Sequence, residues 1–232
     1  MSLPDAPQVD RPAGVNTAPP QAAMPASAPL PLAGEDQARA DLYALLARLL
    51  LAAPDAGLLD ALSTADPIVS AGVEPALERA WEVLALASGV MDPDAVHEEF
   101  DALFISVGTP PLNPYGSRYL SGYLNDSPLA ELRGELARLG IRRMRGVGEF
   151  EDHLGALCET MRVLVMRRTP LARQQRFFEA HIAPWYGKCL LDFERAADAR
   201  FYRVVAAFAA AFLTIEAQAF AVDTPFGEAA LQ

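Results

Sequence analysis

Cysteine is scarce in this chain: two cysteines in 232 residues are too few for a disulfide framework or a zinc knuckle. Both of them, Cys158 and Cys189, lie among apolar residues in sequence with helical periodicity, where a free cysteine behaves as a small hydrophobe. A secreted scaffold held together by disulfides is therefore excluded. We expect a reducing, cytoplasmic compartment.

Long apolar runs and an export signal are also lacking. The longest apolar run, Val204 to Leu213, is well short of the roughly 20 residues that cross a bilayer. The first residues, MSLPDAPQVDRP, are acidic and proline-rich where a signal peptide needs a basic region followed by an apolar one. We therefore expect a soluble protein without membrane insertion. Its 52% hydrophobic residues are enough for one sizeable core.

Positive charge is outnumbered, with 19 Lys and Arg against 30 Asp and Glu and a formal net charge of −11. This balance repels phosphate backbones, so nucleic-acid binding is not expected. It favours a basic partner, although many soluble proteins are simply acidic.

The ends of the chain differ in composition from its middle. Residues 1–33 are rich in proline and alanine, and proline fixes φ and removes backbone donors, so we predict a disordered tail there. Residues 34–222 are predicted to form one domain, and residues 223–232 a short C-terminal tail.

From Glu35 onward, apolar residues recur with a period near 3.6, and no segment shows the sustained alternation of a strand. Asp92-Pro93 and Ser127-Pro128 each combine an N-cap with a proline in the first turn. We predict an all-α, single-domain helical bundle of about nine to ten helices. A first helix is predicted from Glu35 and stops before Pro54. The later predicted helices cover residues 55–62, 74–86, 93–108, 127–140, 149–168, 171–182, 185–197 and 199–219.

Three acids and a histidine stand within five positions at 149–153, where a long apolar helix is predicted to begin. On a helix, Glu149 would share a face with Asp152 and His153. A di-iron site of the bundle type needs Glu-x-x-His twice, and none of the three histidines has a glutamate three positions before it, so no metal is expected. Three interpretations stay open: acids favoured by the helix dipole, a hydrolase with His153 as general base beside Asp152 or Glu149, and a site for a positively charged partner.

Two preceding stretches carry aromatic residues: FDALF at 100–104 and TPPLNPYGSRYL at 109–120. Aromatic residues one helical turn apart, such as Phe100 and Phe104, are more often core than ligand surface. The loop is stiffened by prolines and carries Tyr115 and Tyr119, whose rigid rings with polar tips are common in peptide-binding surfaces. No nucleophile elbow, phosphate loop or dinucleotide fingerprint favours an enzyme.

Taken together, these stretches resemble the TorD/DmsD-type chaperones, the redox-enzyme maturation proteins of molybdoenzymes, which are related to NarJ. The similarity covers about residues 35–220 and rests on three motifs in order. These are Phe100-x-x-Leu103-Phe104 with the loop after it, Glu149-Phe-Glu-Asp152-His153 where the family has Glu-Pro-x-Asp-His, and His181-x-x-Pro-Trp before an aromatic-rich last helix. Phe150 replaces the proline that is usual in the family.

The resemblance implies a TorD-like fold and a cytoplasmic chaperone without catalytic activity or a bound cofactor. Its partner would be an apo-molybdoenzyme, bound by its basic twin-arginine signal peptide or by another segment, so that Tat export waits for insertion of the molybdenum cofactor. The resemblance does not name the client, and a homodimer formed by helix exchange near residues 140–148 is a further possibility. A third class, a structural adaptor that binds a mature domain, also stays open. The expected peptide-binding residues are Phe100, Leu103, Phe104, Pro110, Pro111, Tyr115, Ser117, Tyr119, Glu149, Glu151, Asp152 and His153.

Overall fold

The computed structural model describes residues 32–69, 75–105, 108–142 and 150–222, and in these residues the chain forms ten α-helices, one π-helical turn and no strand. The helices are α1 (Gly34–Leu51), α2 (Ala56–Ser63), α3 (Ala76–Val90), α4 (Pro93–Phe100), α5 (Gly116–Leu120), α6 (Ser127–Arg138), α7 (Leu154–Met166), α8 (Leu171–His181), α9 (Tyr186–Arg195) and α10 (Phe201–Val222). The π-helical turn, Asp101–Ile105, continues α4. The predicted all-α bundle is confirmed, whereas the boundaries of the two terminal tails stay a prediction.

Three of the described helices have an aspartate as their N-cap residue. The Asp55 side chain accepts a hydrogen bond from the backbone N–H of Leu58, and the Asp92 side chain accepts two such bonds ahead of Pro93. The predicted cap at Ser127 was placed one residue late, because Asp126 is the N-cap and accepts from the Ser127 N–H at 2.7 Å. Each such cap satisfies a backbone donor that the first helical turn leaves unpaired.

The structure corrects the predicted start of α7. This helix begins at Leu154 with His153 as its N-cap, so Glu151 and Asp152 precede the helix. Acids in the first turn of α7 therefore do not explain the acidic stretch. A second difference is α5, a five-residue helix inside the proline-rich loop, which is too short to leave a periodic signal in the sequence.

The core is built around α10, whose side chains pack against α1, α3, α4, α8 and α9. Phe201, Tyr202, Val205, Phe208 and Leu213 are fully buried along its length. By length and composition this 22-residue helix could also cross a membrane, which the prediction from the shorter apolar run overlooked. Its packing inside the bundle accounts for the apolar composition, since a helix that is apolar on nearly all sides is central in a folded domain.

Helices α1 and α7 share the most extensive contact among the helices that the structure describes. A Cβ atom added at Gly155 would stand 2.8 Å from Cγ of Leu51 and 3.2 Å from Cβ of Leu50. Glycine is therefore needed in the first turn of α7 to let the two helices approach.

A buried ion pair joins α1 to α10. The Arg39 guanidinium donates from Nε to Oε1 and from Nη2 to Oε2 of Glu216, both at 2.8 Å, and the Tyr43 hydroxyl donates to the same carboxylate. Burial alone would lower the pKa of Arg39, but the hydrogen bonds and charge of Glu216 raise it above its ordinary value. The pair lies beside a largely apolar cavity of about 900 Å³ between α1, α8 and α10.

Candidate functional site

The proline-rich loop and the start of α7 meet in a junction made by backbone hydrogen bonds. The Leu154 N–H donates to the carbonyl of Pro114, and the Gly116 N–H donates to the carbonyl of Asp152. Between them, Tyr115 and His153 form an isolated antiparallel bridge. The sequence motifs around residues 115 and 153, which are far apart in the chain, are therefore neighbours in space.

Asp152 is the central polar side chain of this junction and is only 3% exposed. Its Oδ2 accepts a hydrogen bond from the backbone N–H of Ser117 at 2.8 Å, which satisfies a donor in the first turn of α5. Its Oδ1 and the Ser117 hydroxyl are both buried, and neither has a hydrogen-bond partner in the described part of the chain. A buried polar atom without a partner costs about 1–3 kcal/mol, so two of them at one place call for an explanation.

His153 is held as a neutral side chain. It is 4% exposed, its Nδ1 accepts a hydrogen bond from the Gly155 N–H at 3.1 Å, and its ring meets the ring of Tyr115 edge-on at 5.0 Å. Burial lowers the pKa of His153 from 6.5 to about 4. Because Nδ1 is engaged, the proton of the neutral ring resides on Nε2. The imidazole then has no free lone pair, which argues against the hydrolase interpretation.

Glu151 is the acidic residue of the junction that is nearest to solvent. Its Oε2 accepts from Nε and Nη2 of Arg133 at 3.0 and 2.9 Å. A cavity of about 220 Å³ lies beside this pair and is lined further by Gly140, Ile141 and Arg142. Glu149, the remaining acid of the predicted site, lies outside the described residues.

The predicted apolar part of the site is mostly core. Phe100 and Leu103 are buried, and half-buried Phe104 packs against Phe100, Phe193 and Tyr202 with ring centroids 4.9 to 5.4 Å apart. These three side chains therefore do not form an open groove. The spacing of Phe100 and Phe104 by one helical turn lets both rings pack on Tyr202 of α10, and Phe104 also packs on Phe193 of α9.

The loop itself has a mixed environment. Pro110 is half-buried and Pro111 is exposed, while the Tyr119 ring stacks on Trp185 at 5.4 Å and its hydroxyl donates to Asp192. Burial raises the pKa of Tyr119 above its ordinary range. Sequence reasoning did not assign Trp185 or Arg133 to the site. Trp185 stands in the His-x-x-Pro-Trp motif, whereas no local signal connects Arg133 to Glu151.

Metal binding receives no support from this region. In the residues that the structure describes, no group of three or more His, Cys, Asp or Glu side chains could hold a metal ion. The two cysteines are buried, and burial raises the pKa of each thiol above its ordinary range. In the described residues, the polar atoms of the junction without a hydrogen-bond partner are Oδ1 of Asp152 and the hydroxyl of Ser117.

The fold is shared with a crystal structure described as a redox enzyme maturation protein from Archaeoglobus fulgidus. The two chains superpose with a TM-score of 0.50 at 20% sequence identity, over 77% of this chain and 93% of the other. At that identity the comparison defines the fold class. Among curated protein sequences no match is found.

The sequence itself identifies the family. The family model described as the nitrate reductase delta subunit matches residues 70–190, more than half of the chain. The chain therefore belongs to the nitrate reductase delta subunit family, the family of NarJ/TorD-type chaperones. The matched segment contains the junction, the π-helical turn and α3 to α8. The resemblance to redox-enzyme maturation chaperones is confirmed, and this is not a family of catalytic enzymes.

Proposed function

We propose that the chain is a cytoplasmic chaperone that binds the twin-arginine signal peptide of an apo-molybdoenzyme at the junction of the proline-rich loop and α7. Binding would hold back Tat export until the molybdenum cofactor has been inserted.

One observation carries the proposal: the unpaired Oδ1 of Asp152 stands in a junction that also contains the unpaired Ser117 hydroxyl. A guanidinium presents several N–H donors in a planar fork, and both oxygens can accept from such a fork. Hydrogen bonds between a guanidinium and a carboxylate are charge-assisted and about twice as strong as neutral ones. An arginine of the leader would therefore satisfy atoms that the free protein leaves unsatisfied.

Access requires a movement, because both oxygens are buried. Tyr115 is half-buried between Phe150 and His153, with ring centroids 6.2 and 5.0 Å away, and we propose that displacement of its ring opens the junction. Glu151, on the solvent side, is already paired with Arg133, so it would bind an incoming arginine only in exchange for that partner. Arg133 already binds it with the geometry that an incoming arginine would adopt.

Isothermal titration with a twin-arginine peptide and its twin-lysine counterpart tests the proposal. The arginine peptide should bind more tightly, and Asp152→Asn should weaken its binding about tenfold or more, because one charge-assisted contact is lost. Asp126→Asn is the matched control, since Asp126 also caps a helix through its side chain but lies outside the junction. Thermal melts of both variants would establish that they are folded.

Equal affinity for the two peptides, unaffected by Asp152→Asn, would remove the junction from leader recognition. Complete absence of leader binding, together with binding of the folded client, would instead favour the structural adaptor of a mature domain.

A further inference from the structure

A cleft of about 700 Å³ lies between the C-terminal part of α6 and α8. The charged residues that line it are spaced by three positions on each helix, so each set occupies one side: Glu135 and Arg138 on α6, and Arg173, Arg176 and Glu179 on α8. Another side of α8 is buried in the core, and a contact of 2.8 Å between Nε2 of His181 and Oε2 of Glu135 ties the two helices together. The volume of the cleft is within the range of about 300–1,000 Å³ that small-molecule sites occupy.

Positive charge is concentrated around this cleft. Residues 133–176 contain ten arginines and five acids, whereas the whole chain has 19 Lys and Arg against 30 Asp and Glu. Three of these arginines line the cleft, and in the described part of the chain none of the three has a side-chain hydrogen bond or ion pair: Arg138, Arg173 and Arg176. An acidic protein therefore presents to one concave space three guanidinium groups that the described residues leave unpaired.

The two glutamates of the cleft are each engaged through one oxygen by a neighbour outside it. Oε2 of Glu135 meets His181, and Oε1 of Glu179 accepts a hydrogen bond from Nε2 of Gln175 at 2.9 Å. Their other oxygens, Oε1 of Glu135 and Oε2 of Glu179, have no hydrogen-bond partner among the described residues. The cleft thus combines three cationic groups with two carboxylate oxygens that can accept from hydroxyl or amino groups.

From this arrangement we propose that the cleft binds a small phosphorylated molecule that also carries hydroxyl or amino groups. The guanidinium groups of Arg138, Arg173 and Arg176 bind the phosphate, because the planar fork of N–H donors matches the geometry of phosphate oxygens and such bonds are charge-assisted. The hydroxyl or amino groups of the same molecule donate to Glu135 and Glu179. None of the described lining residues is aromatic, so the cleft has no ring on which a nucleobase would stack.

A phosphorylated small molecule suits the cleft better than an acidic segment of a protein. A phosphate concentrates its charge in one group, which the three arginines can contact together while the rest of the molecule meets the glutamates. An acidic peptide spreads its carboxylates along a chain and would bring some of them against Glu135 and Glu179, where like charges repel. None of the described residues of the junction lines the cleft, so this proposal does not depend on leader binding.

Isothermal titration of the full chain with inorganic diphosphate tests the phosphate part of the proposal. The double variant Arg173→Gln, Arg176→Gln should weaken binding about tenfold or more, because charge-assisted contacts are lost. Arg138→Gln should also weaken it, which distinguishes a cleft between two helices from a site on α8 alone. The matched control is Arg48→Gln with Arg79→Gln, two exposed arginines on α1 and α3, which changes the net charge equally and should leave the affinity nearly unchanged. Thermal melts would establish that each variant is folded.

Glycerol phosphate and inorganic phosphate together test the role of the glutamates. Glycerol phosphate should bind more tightly, because its hydroxyl groups can donate to Glu135 and Glu179, and equal affinities would overturn that part of the proposal. Diphosphate binding that both double variants weaken equally, or that neither weakens, would show non-specific attraction and overturn the site. Absence of binding by the wild type at millimolar concentrations of every probe would overturn it as well. A glutamate-rich peptide that displaces diphosphate would show that an acidic protein segment is the occupant instead.

Discussion

The Asp152 carboxylate accepts a hydrogen bond from the backbone N–H of Ser117 at 2.8 Å, across 35 positions of sequence. This bond caps α5 from outside the helix and fixes the proline-rich loop against the start of α7. The hydroxyl of Ser117 and the second oxygen of Asp152 take no part in it and have no other partner in the described residues. One side chain therefore combines a structural contact with an unused acceptor.

Because one oxygen of Asp152 is bonded and the other is not, three variants at this junction should differ in stability. Asp152→Ala should lower the free energy of unfolding by about 1–2 kcal/mol, because the Ser117 N–H loses its acceptor. Asp152→Asn keeps an oxygen at that place and should cost less. Ser117→Ala should be neutral or stabilising, since it removes a buried hydroxyl that has no partner in the described residues. Urea unfolding monitored by circular dichroism measures all three. A loss above about 1 kcal/mol for Ser117→Ala would mean that the hydroxyl is bonded in solution.

The helices were predictable because their signals are local. Asp92 followed by Pro93, the apolar period of α10 and the proline stop after α7 each act within a few residues. The junction was predictable only through the family resemblance, since the pairing of Tyr115 with His153 depends on how distant segments pack.

The sequence does not show which apolar residues are buried or which residue pairs with a given charge. The pattern places Leu103 on an apolar face but cannot say whether that face is buried or meets solvent. It shows an acid at 151 without indicating that Arg133 neutralises it. The exposure of Leu86 in α3 was missed for the same reason, because Leu86 and Leu84 are alike in composition and opposite in exposure.

The neutral state of His153 predicts a dependence of stability on pH. Its pKa is about 4 in the folded protein and 6.5 in the unfolded chain, so between these values the unfolded state binds more protons. The contribution of His153 is therefore complete above pH 6.5 and is lost as the pH falls towards 4, by about 3 kcal/mol in total. His153→Asn keeps an acceptor for the Gly155 N–H and removes the titration.

Chemical unfolding at several pH values between 4 and 7 would measure this contribution as a difference between the two proteins. The stability of the wild type should fall more steeply than that of His153→Asn as the pH is lowered, by up to one proton. Parallel curves would show that His153 is accessible to protons in the folded state.

Two glycines in helices should respond to alanine in opposite directions. Gly155→Ala places a Cβ atom 2.8 Å from Cγ of Leu51, and this overpacking should cost about 1–3 kcal/mol. Gly187→Ala meets nothing within 4 Å in α9 and should stabilise the protein by up to about 1 kcal/mol, because alanine has the higher helix propensity. Thermal melts compare them. Leu51→Ala combined with Gly155→Ala should relieve the clash, and a clash that persists would locate the strain in the α1 backbone instead.

Breaking the ion pair between Arg39 and Glu216 should destabilise the protein far more than replacing the whole pair with apolar residues. Glu216→Gln leaves the Arg39 charge only partly compensated among α1, α8 and α10, and should cost about 3–5 kcal/mol. For a domain of this size the melting temperature should fall by about 10 °C. The triple variant Arg39→Met, Tyr43→Phe and Glu216→Leu removes both charges and the hydroxyl that donates to Glu216, so it should recover most of the loss. Differential scanning fluorimetry at two salt concentrations would compare the three proteins. A triple variant as unstable as Glu216→Gln would mean that α1 and α10 need these polar contacts to find their register.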